Sequence, residues 1–413
     1  MSDFYQKFRS EVAAGGATQE KQPDSATRGG TLTGLIMLGL LGYLLVNSPW
    51  TGIFVLGLLV SVFLHEIGHF VTARLTGMKV TQFFMGFGPR VWSTTRGEVE
   101  YGLRALPLGA FVRIIGMNNL DEVSEGDEQR SYRAQTFPRR LLVITAGSLM
   151  HMVIAFVLFA GVFFISGREQ QTGVTVIKQM AQNSPAASSG LLPDDEIQSI
   201  DGVKVSSYET LVSAITSHSP GDVVQVRTSR DSRLSTVAVT LGQNPSDTSK
   251  AYLGVFADDW GWKQVPIGSA LGQSSSEIGR TAVGSLKGMT VALNPFNSLR
   301  HLTKQDSSLM TRPTTLVGVS QVGGQVGRTD GLKGVLLLLG SVNVFVGVFN
   351  MFPLLPFDGG HAAVAIYERI RSRKGRRYSA DISKMVPVAT AVVGLLGLLL
   401  VTGLYLDITQ PLG

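Results

Sequence analysis

The sequence predicts a polytopic α-helical membrane protein of about five spans, with a membrane-associated β-hairpin and a separate extracytoplasmic α+β domain. Three observations predict it. Apolar residues make up 44% of the 413 and charged residues only 16%, a balance outside the ordinary soluble range. Five apolar stretches, at about 31–47, 51–73, 141–165, 332–352 and 386–407, are each long enough to cross some 30 Å of hydrocarbon. The basic residues cluster between spans: ten Lys/Arg from Arg74 to Arg140 and six from Arg369 to Arg377.

Residues 1–30 are polar and lack the basic-then-apolar pattern of a cleaved signal, and are expected to be a disordered cytoplasmic tail. Residues 31–165 form the first part of the membrane domain, whose first two spans are separated only by Ser48-Pro49-Trp50. Both basic loops belong in the cytoplasm by the positive-inside rule. The amino terminus is then cytoplasmic, and residues 166–331 are extracytoplasmic. The loop at 80–115 contains Phe83-Phe-Met-Gly-Phe-Gly-Pro89 and Val99-Glu-Tyr-Gly-Leu-Arg-Ala-Leu-Pro-Leu-Gly-Ala-Phe-Val-Arg113, β-type residues broken by glycine and proline. Strands or a hairpin are expected. Two roles stand open for it: a re-entrant edge that pairs with an unwound peptide, or a compact cytoplasmic hairpin with no such role.

Residues 170–245 read as an independent domain. Gly173-Val-Thr-Val-Ile-Lys-Gln-Met is strand-like, Asn183-Ser-Pro-Ala-Ala-Ser-Ser-Gly-Leu-Leu-Pro-Asp-Asp-Glu-Ile-Gln-Ser-Ile-Asp-Gly-Val-Lys-Val205 follows, then a helix over 208–216 and paired strands at 223–227 and 235–241. This pattern resembles a PDZ domain, with Asp194 where such domains commonly have glycine. The resemblance implies either capture of a carboxyl end or a size filter. Residues 246–331 are expected to be an extracytoplasmic amphipathic or connecting region, helical over 265–292, and 332–413 the second part of the membrane domain. His218 and His301 are expected at the surface.

His65-Glu66-Ile-Gly-His69 lies inside the second apolar stretch. Residues four apart share a helix face, so His65 and His69 can offer two imidazoles to one Zn²⁺, with Glu66 beside it to take a proton from water. Ionisable groups are costly in hydrocarbon and are kept there for function. The chain has no cysteine, so a metal must be held by His, Asp or Glu. A catalytic zinc site has three protein ligands, and Asp358 is the candidate third. It lies in Asn350-Met-Phe-Pro-Leu-Leu-Pro-Phe-Asp-Gly-Gly-His361, where Pro353 and Pro356 break the helix.

With these residues the chain resembles the site-2 protease family of intramembrane zinc metalloproteases, of the actinobacterial type with a single PDZ domain. The resemblance implies a three-helix catalytic core, zinc on His65, His69 and Asp358, and Glu66 as general base. It further implies that Asn350 helps hold an unwound substrate, with Pro353, Pro356 and Gly109 of the Pro107-Leu-Gly hairpin turn as accompanying candidates. The substrates it implies are single-span membrane proteins, anti-sigma factors trimmed beforehand by another protease, with the lipid bilayer as the only other partner and no nucleic acid. Three spellings depart from the family's usual ones, one of them Pro107-Leu-Gly-Ala110 for Pro-Leu-Gly-Gly. The second proline, Pro356, stands one place later, and Ala146-Gly-Ser-Leu-Met-His151 replaces Ala-Gly-Pro-x-x-Asn. His151 and His361 are candidates for standing behind the ligands; for His151 an ordinary helix contact is the other reading. A metal transporter needs neither Glu66 nor a PDZ domain. An idle scaffold needs no intact ligand set.

Overall fold

The computed structural model describes residues 28–117, 121–306, 308, 310–372 and 378–412. The expected tail at 1–30 therefore lies outside the described residues except for 28–30, which open helix α1 (Arg28–Asn47). Helix α2 (Pro49–Leu75) follows after Ser48, with Pro49 in its first turn, where a missing N–H costs nothing. The hairpin strands are β1 (Val80–Arg96) and β2 (Val99–Ile114), but they do more than pair once. Phe83 faces Val112 on one side and Tyr101 on the other, and Phe84 faces both Phe111 and Gly102. Bulges fold the ribbon so that the first half of β1 lies between the two halves of β2. Helix α3 (Phe137–Ser166) comes next.

Phe163–Leu271 forms a compact unit of its own. It contains β3 (Arg168–Met180), the short helix α4 (Pro185–Ser189), β4 (Glu196–Ile200), β5 (Val203–Lys204), helix α5 (Tyr208–Thr216), β6 (Val223–Arg230), β7 (Arg233–Thr240), β8 (Gly242–Asn244), β9 (Asp247–Tyr252) and β10 (Val255–Lys263). The main sheet runs β10-β3-β4-β6-β7, around a core that includes Ile177, Leu191, Ile197, Leu211 and Val226. The unit therefore extends beyond the boundary expected at 245. β10 pairs along β3, a partner some eighty residues earlier that local pattern does not reveal. Asp194 has φ +69°, a left-handed conformation that explains why glycine is common at this turn.

The helical unit resumes with α6 (Ile267–Ala292), α7 (Pro295–Leu302), α8 (Leu316–Asn350), α9 (Asp358–Arg371) and α10 (Val386–Thr409). Five helices among the described residues are long and apolar enough to cross a membrane. The fourth, α8, is two helices that meet at Gly331, whose φ of +64° breaks the helical backbone; the second lies where the span at 332–352 is expected, and the first, from Leu316, is a helix within the expected connecting region 246–331. The segment before the bend is held by close glycine contacts with α2: Gly323 meets Phe54, and Gly327 meets Trp50. His301 is buried rather than exposed, bonded to Thr311 Oγ1 at 3.1 Å. The basic cluster from Arg369 runs partly into 373–377, outside the described residues.

One apolar core positions the site. Ala73, Phe83, Ile114, Val143, Ile144 and Ala362 join α2, the hairpin, α3 and α9, with Phe70 edge-on to Phe83 at 5.2 Å. Below it Arg140, at the start of α3, pairs with Glu368 of α9 at 2.7 Å, both nearly buried, and its guanidinium lies 4.8 Å over the Tyr132 ring. Burial pushes the Tyr132 hydroxyl up to about 12, so it stays neutral in this pair's surroundings.

Candidate metal centre

The α2 spacing puts His65 and His69 one turn apart on the face that turns inward. Asp358 reaches them because α8 ends at Asn350 and the chain doubles back through Pro353 and Pro356 before α9 starts. The return is tight. A Cβ on Gly359 would overlap the Met351 backbone, and one on Gly360 the Leu354–Leu355 backbone, so Asp-Gly-Gly is what this close approach admits. Asp358 then stands in the first turn of α9, where the helix dipole favours a carboxylate.

His65 Nε2 and His69 Nε2 are 3.2 Å apart, and Asp358 Oδ2 lies 3.5 Å and 3.3 Å from them. Three ligands held tetrahedrally at about 2.0–2.1 Å from zinc are separated by about 3.3 Å, so this triangle fits the ion without rearrangement. His69 Nδ1 donates to the Val143 carbonyl at 2.7 Å, which leaves its Nε2 bare and facing the other two. Asp358 Oδ2 has no hydrogen-bond partner among the described residues. Converging lone pairs with an unsatisfied buried carboxylate oxygen are what a cation relieves. Glu66 Oε1 lies 3.9 Å from His65 Nε2, and the Val112 backbone of β2 is close enough to act on its carboxylate. The hairpin edge thus meets the centre.

The structure brings His65, His69 and Asp358 into one cluster, with Glu66 beside it. His151 lies behind His65, ring centroids 4.9 Å apart, and His361 sits buried one turn into α9, outside the cluster. Pro353 borders an apolar recess shared with Ser148 and Met152 of α3, Asn350 ends α8 and Pro356 stays in the loop. Gly109 packs on the Phe87 ring within the hairpin and does not enter the cluster.

Sequence reasoning missed three contributors. Gly147 of α3 lies against both imidazoles, and a Cβ there would overlap the His65 and His69 rings. Asn343 accepts from His151 Nδ1 at 2.8 Å and donates to Ser61 Oγ at 3.1 Å and the Leu339 carbonyl at 2.8 Å. The Val112 backbone carries no side-chain signal. Of these, only Asn343 announced itself, as an amide in the middle of an apolar span.

The chain matches the family model of peptidase family M50 over residues 53–394. It is 30% identical over 397 residues to the zinc metalloprotease Rip1 of Mycobacterium tuberculosis, covering 88% of this chain and 98% of the relative. Rip1 of Mycolicibacterium smegmatis is 29% identical over 396 residues, covering 87% and 97% respectively. Among solved structures, the PDZ domain of an SdrC-like protein from Listeria monocytogenes aligns with 21% of this chain and 90% of its own, at 22% identity and a TM-score of 0.19.

Proposed function

This chain belongs to peptidase family M50, the site-2 proteases, and is a zinc metalloprotease of the membrane; from that premise we propose that His65, His69 and Asp358 hold the zinc and Glu66 is the general base. The reaction we infer is hydrolysis of a peptide bond within the transmembrane segment of a single-span protein. The observation that carries the reading is the 3.2–3.5 Å triangle of bare ligand atoms with Glu66 beside it inside a membrane helix.

A bound zinc supplies Lewis-acid polarisation of a carbonyl and acidifies a water. The rest falls to the chain's own residues. Glu66 takes the proton from the attacking water and delivers it to the leaving amine nitrogen. A transmembrane helix keeps its carbonyls bonded internally, so the substrate must unwind first. The β2 edge at Val112 offers an unwound strand main-chain pairing next to Glu66, and Asn350 with the Pro353/Pro356 loop bounds the opposite approach. The substrates proposed are anti-sigma factors already trimmed by another protease, this enzyme making the second cut of regulated intramembrane proteolysis. In the proposed topology the amino terminus is cytoplasmic, and the β unit, a PDZ-type filter, is extracytoplasmic.

Cleavage of a trimmed single-span substrate by wild type and Glu66→Gln, with zinc measured in both, tests the mechanism. We expect the variant to keep its zinc and lose about 10²–10⁴-fold in rate. Equal cleavage by the two proteins would remove Glu66 from the chemistry. The topology is testable because the chain has no cysteine: a single cysteine placed in the β unit reacts with an impermeant maleimide only if that unit is outside.

A further inference from the structure

The turn that closes α2, the tip of the hairpin and the segment at Arg130 enclose a recess of about 400 Å³, with Arg74, Arg96 and Arg130 on its rim and the buried side chains of Met78, Val80 and Val99 as an apolar floor. Its frame is cross-tied. Met78 N–H donates to the Ala73 carbonyl at 2.9 Å and Lys79 N–H to the Arg130 carbonyl at 2.9 Å. Arg130 in turn holds Glu98 of the hairpin turn through two bonds of 2.7 and 2.6 Å.

The charges of this recess do not balance. Glu98 is the one carboxylate among its lining residues, and Arg130 takes both of its oxygens. Lys79, beside the recess, is paired with Asp127 at 2.6 Å. Arg74 and Arg96 are left over: neither meets a carboxylate among the described residues, and Arg74 lies only over the Phe70 ring at 5.7 Å. This sets the two apart from their neighbours in the hairpin and the loop after it. Arg90, Arg113, Arg130, Arg133 and Arg140 are each matched with a carboxylate, at 2.6–3.7 Å. Like charges gathered at one recess repel each other, and a bound anion removes that cost.

Placement selects the anion. Arg74 stands in the last turn of α2, a helix long and apolar enough to cross a membrane, so the recess lies at the level where a span meets the phosphate layer of a leaflet. Guanidinium groups meet phosphate oxygens through paired, parallel bonds. We propose that this recess is a phosphate-binding site, in which Arg74 and Arg96 grip the phosphate of an anionic phospholipid and the Met78, Val80 and Val99 floor receives the glycerol end of its chains. Such a lipid ties α2, through Arg74, and the hairpin turn, through Arg96, to the membrane surface. A free phosphate ion satisfies the same two arginines without using the floor. The site is separate from the metal cluster and requires neither zinc nor proteolysis.

The test titrates full-length protein in detergent, at low ionic strength, with dioctanoyl phosphatidylglycerol, dioctanoyl phosphatidylcholine and inorganic phosphate, and counts bound copies by native mass spectrometry. Wild type is compared with Arg74→Gln/Arg96→Gln, Arg74→Lys/Arg96→Lys and Arg369→Gln/Arg371→Gln, the last removing two exposed arginines of another basic cluster. Wild type should bind one phosphatidylglycerol saturably, about tenfold more tightly than phosphatidylcholine. The Arg74/Arg96 glutamine pair should weaken this about 25-fold, roughly fivefold for each arginine lost. The lysine pair should weaken it about threefold, because an ammonium keeps the charge and loses the paired bonds. Arg369→Gln/Arg371→Gln should stay within about twofold of wild type. Inorganic phosphate bound more tightly than phosphatidylglycerol, and released by the Arg74/Arg96 glutamine pair, supports the phosphate site and makes a soluble anion its occupant. No saturable uptake of either probe overturns the site. So does wild-type affinity in the glutamine or the lysine pair, or an equal loss in Arg369→Gln/Arg371→Gln, since uptake then follows overall charge. Zinc content, measured in all four proteins, reads the metal centre separately, so failure of this site leaves the protease standing.

Discussion

Asp358 and Asp407 are both carboxylates of the apolar helical unit, the first half-buried and the second fully buried, and their surroundings are opposite. Asp407, fully buried near the end of α10, accepts from Thr315 N at 2.8 Å, Thr315 Oγ1 at 2.7 Å, Gly318 N at 3.1 Å and Arg312 at 3.2 Å. It caps α8 from outside and leaves no lone pair wanting. Asp358 presents Oδ2 to two imidazole nitrogens and has no hydrogen-bond partner there among the described residues. The first arrangement is complete as it stands and holds helices together. The second is complete only with a cation, and the same residue type is a strut in one place and a ligand candidate in the other.

The sharpest way to break this comparison is to exchange the consequences. Asp358→Ala should abolish stoichiometric zinc and proteolysis while the fold persists. Asp407→Ala should destabilise by about 3 kcal/mol, because Arg312 is left buried and unpaired, yet keep zinc and activity per folded molecule. Zinc analysis and thermal unfolding of the two variants decide it. Loss of zinc from Asp407→Ala at an unchanged melting temperature would dissolve the distinction. Chelation gives the next effect: with free zinc at about 100 times Kd, wild type gains roughly 2.7 kcal/mol over the stripped protein, and Asp358→Ala gains none. A difference scan with and without chelator reads this directly. Smaller again is Gly147→Ala, whose methyl would displace the imidazoles; a 10- to 100-fold loss of zinc affinity is expected, measured by competition with a chromophoric chelator.

The legibility of these features in the sequence follows their range. His65, Glu66 and His69 are readable because the pitch of one helix places them, and the five apolar stretches are readable by length alone. Asp358 was nominated by its setting, a carboxylate after two helix-breaking prolines at the end of a span. Asp407 and Arg312 meet across a long intervening sequence, and an acid in the last turn of an apolar helix looks the same whether it is capped or free in water. The folded-over hairpin escaped for a related reason: its register is set by bulges that shift the pairing several times, and alternation along either strand does not record them. The β unit outran its expected boundary because β10 reports its partner only once the sheet is assembled.

The finest prediction asks whether the rule of completion that governs Asp407 also operates against the metal cluster. Leu339's carbonyl can only accept, so Asn343 Nδ2 must point at it, Oδ1 faces His151, and His151 Nδ1 carries the proton. Asn343→Leu strands that N–H within van der Waals reach of His65, whereas Ser61 keeps its bond to Gly57. A loss of about 1–3 kcal/mol in stability is expected, with up to tenfold in zinc affinity as the His151 ring seeks another partner. The double variant Asn343→Leu/His151→Leu removes donor and acceptor together and should recover most of the stability, since a matched pair replaced by apolar groups is nearly neutral. If the double variant is instead as unstable as the sum of its single changes, the pair is held by packing, and the polar relay behind His65 has no role in fixing the ligand.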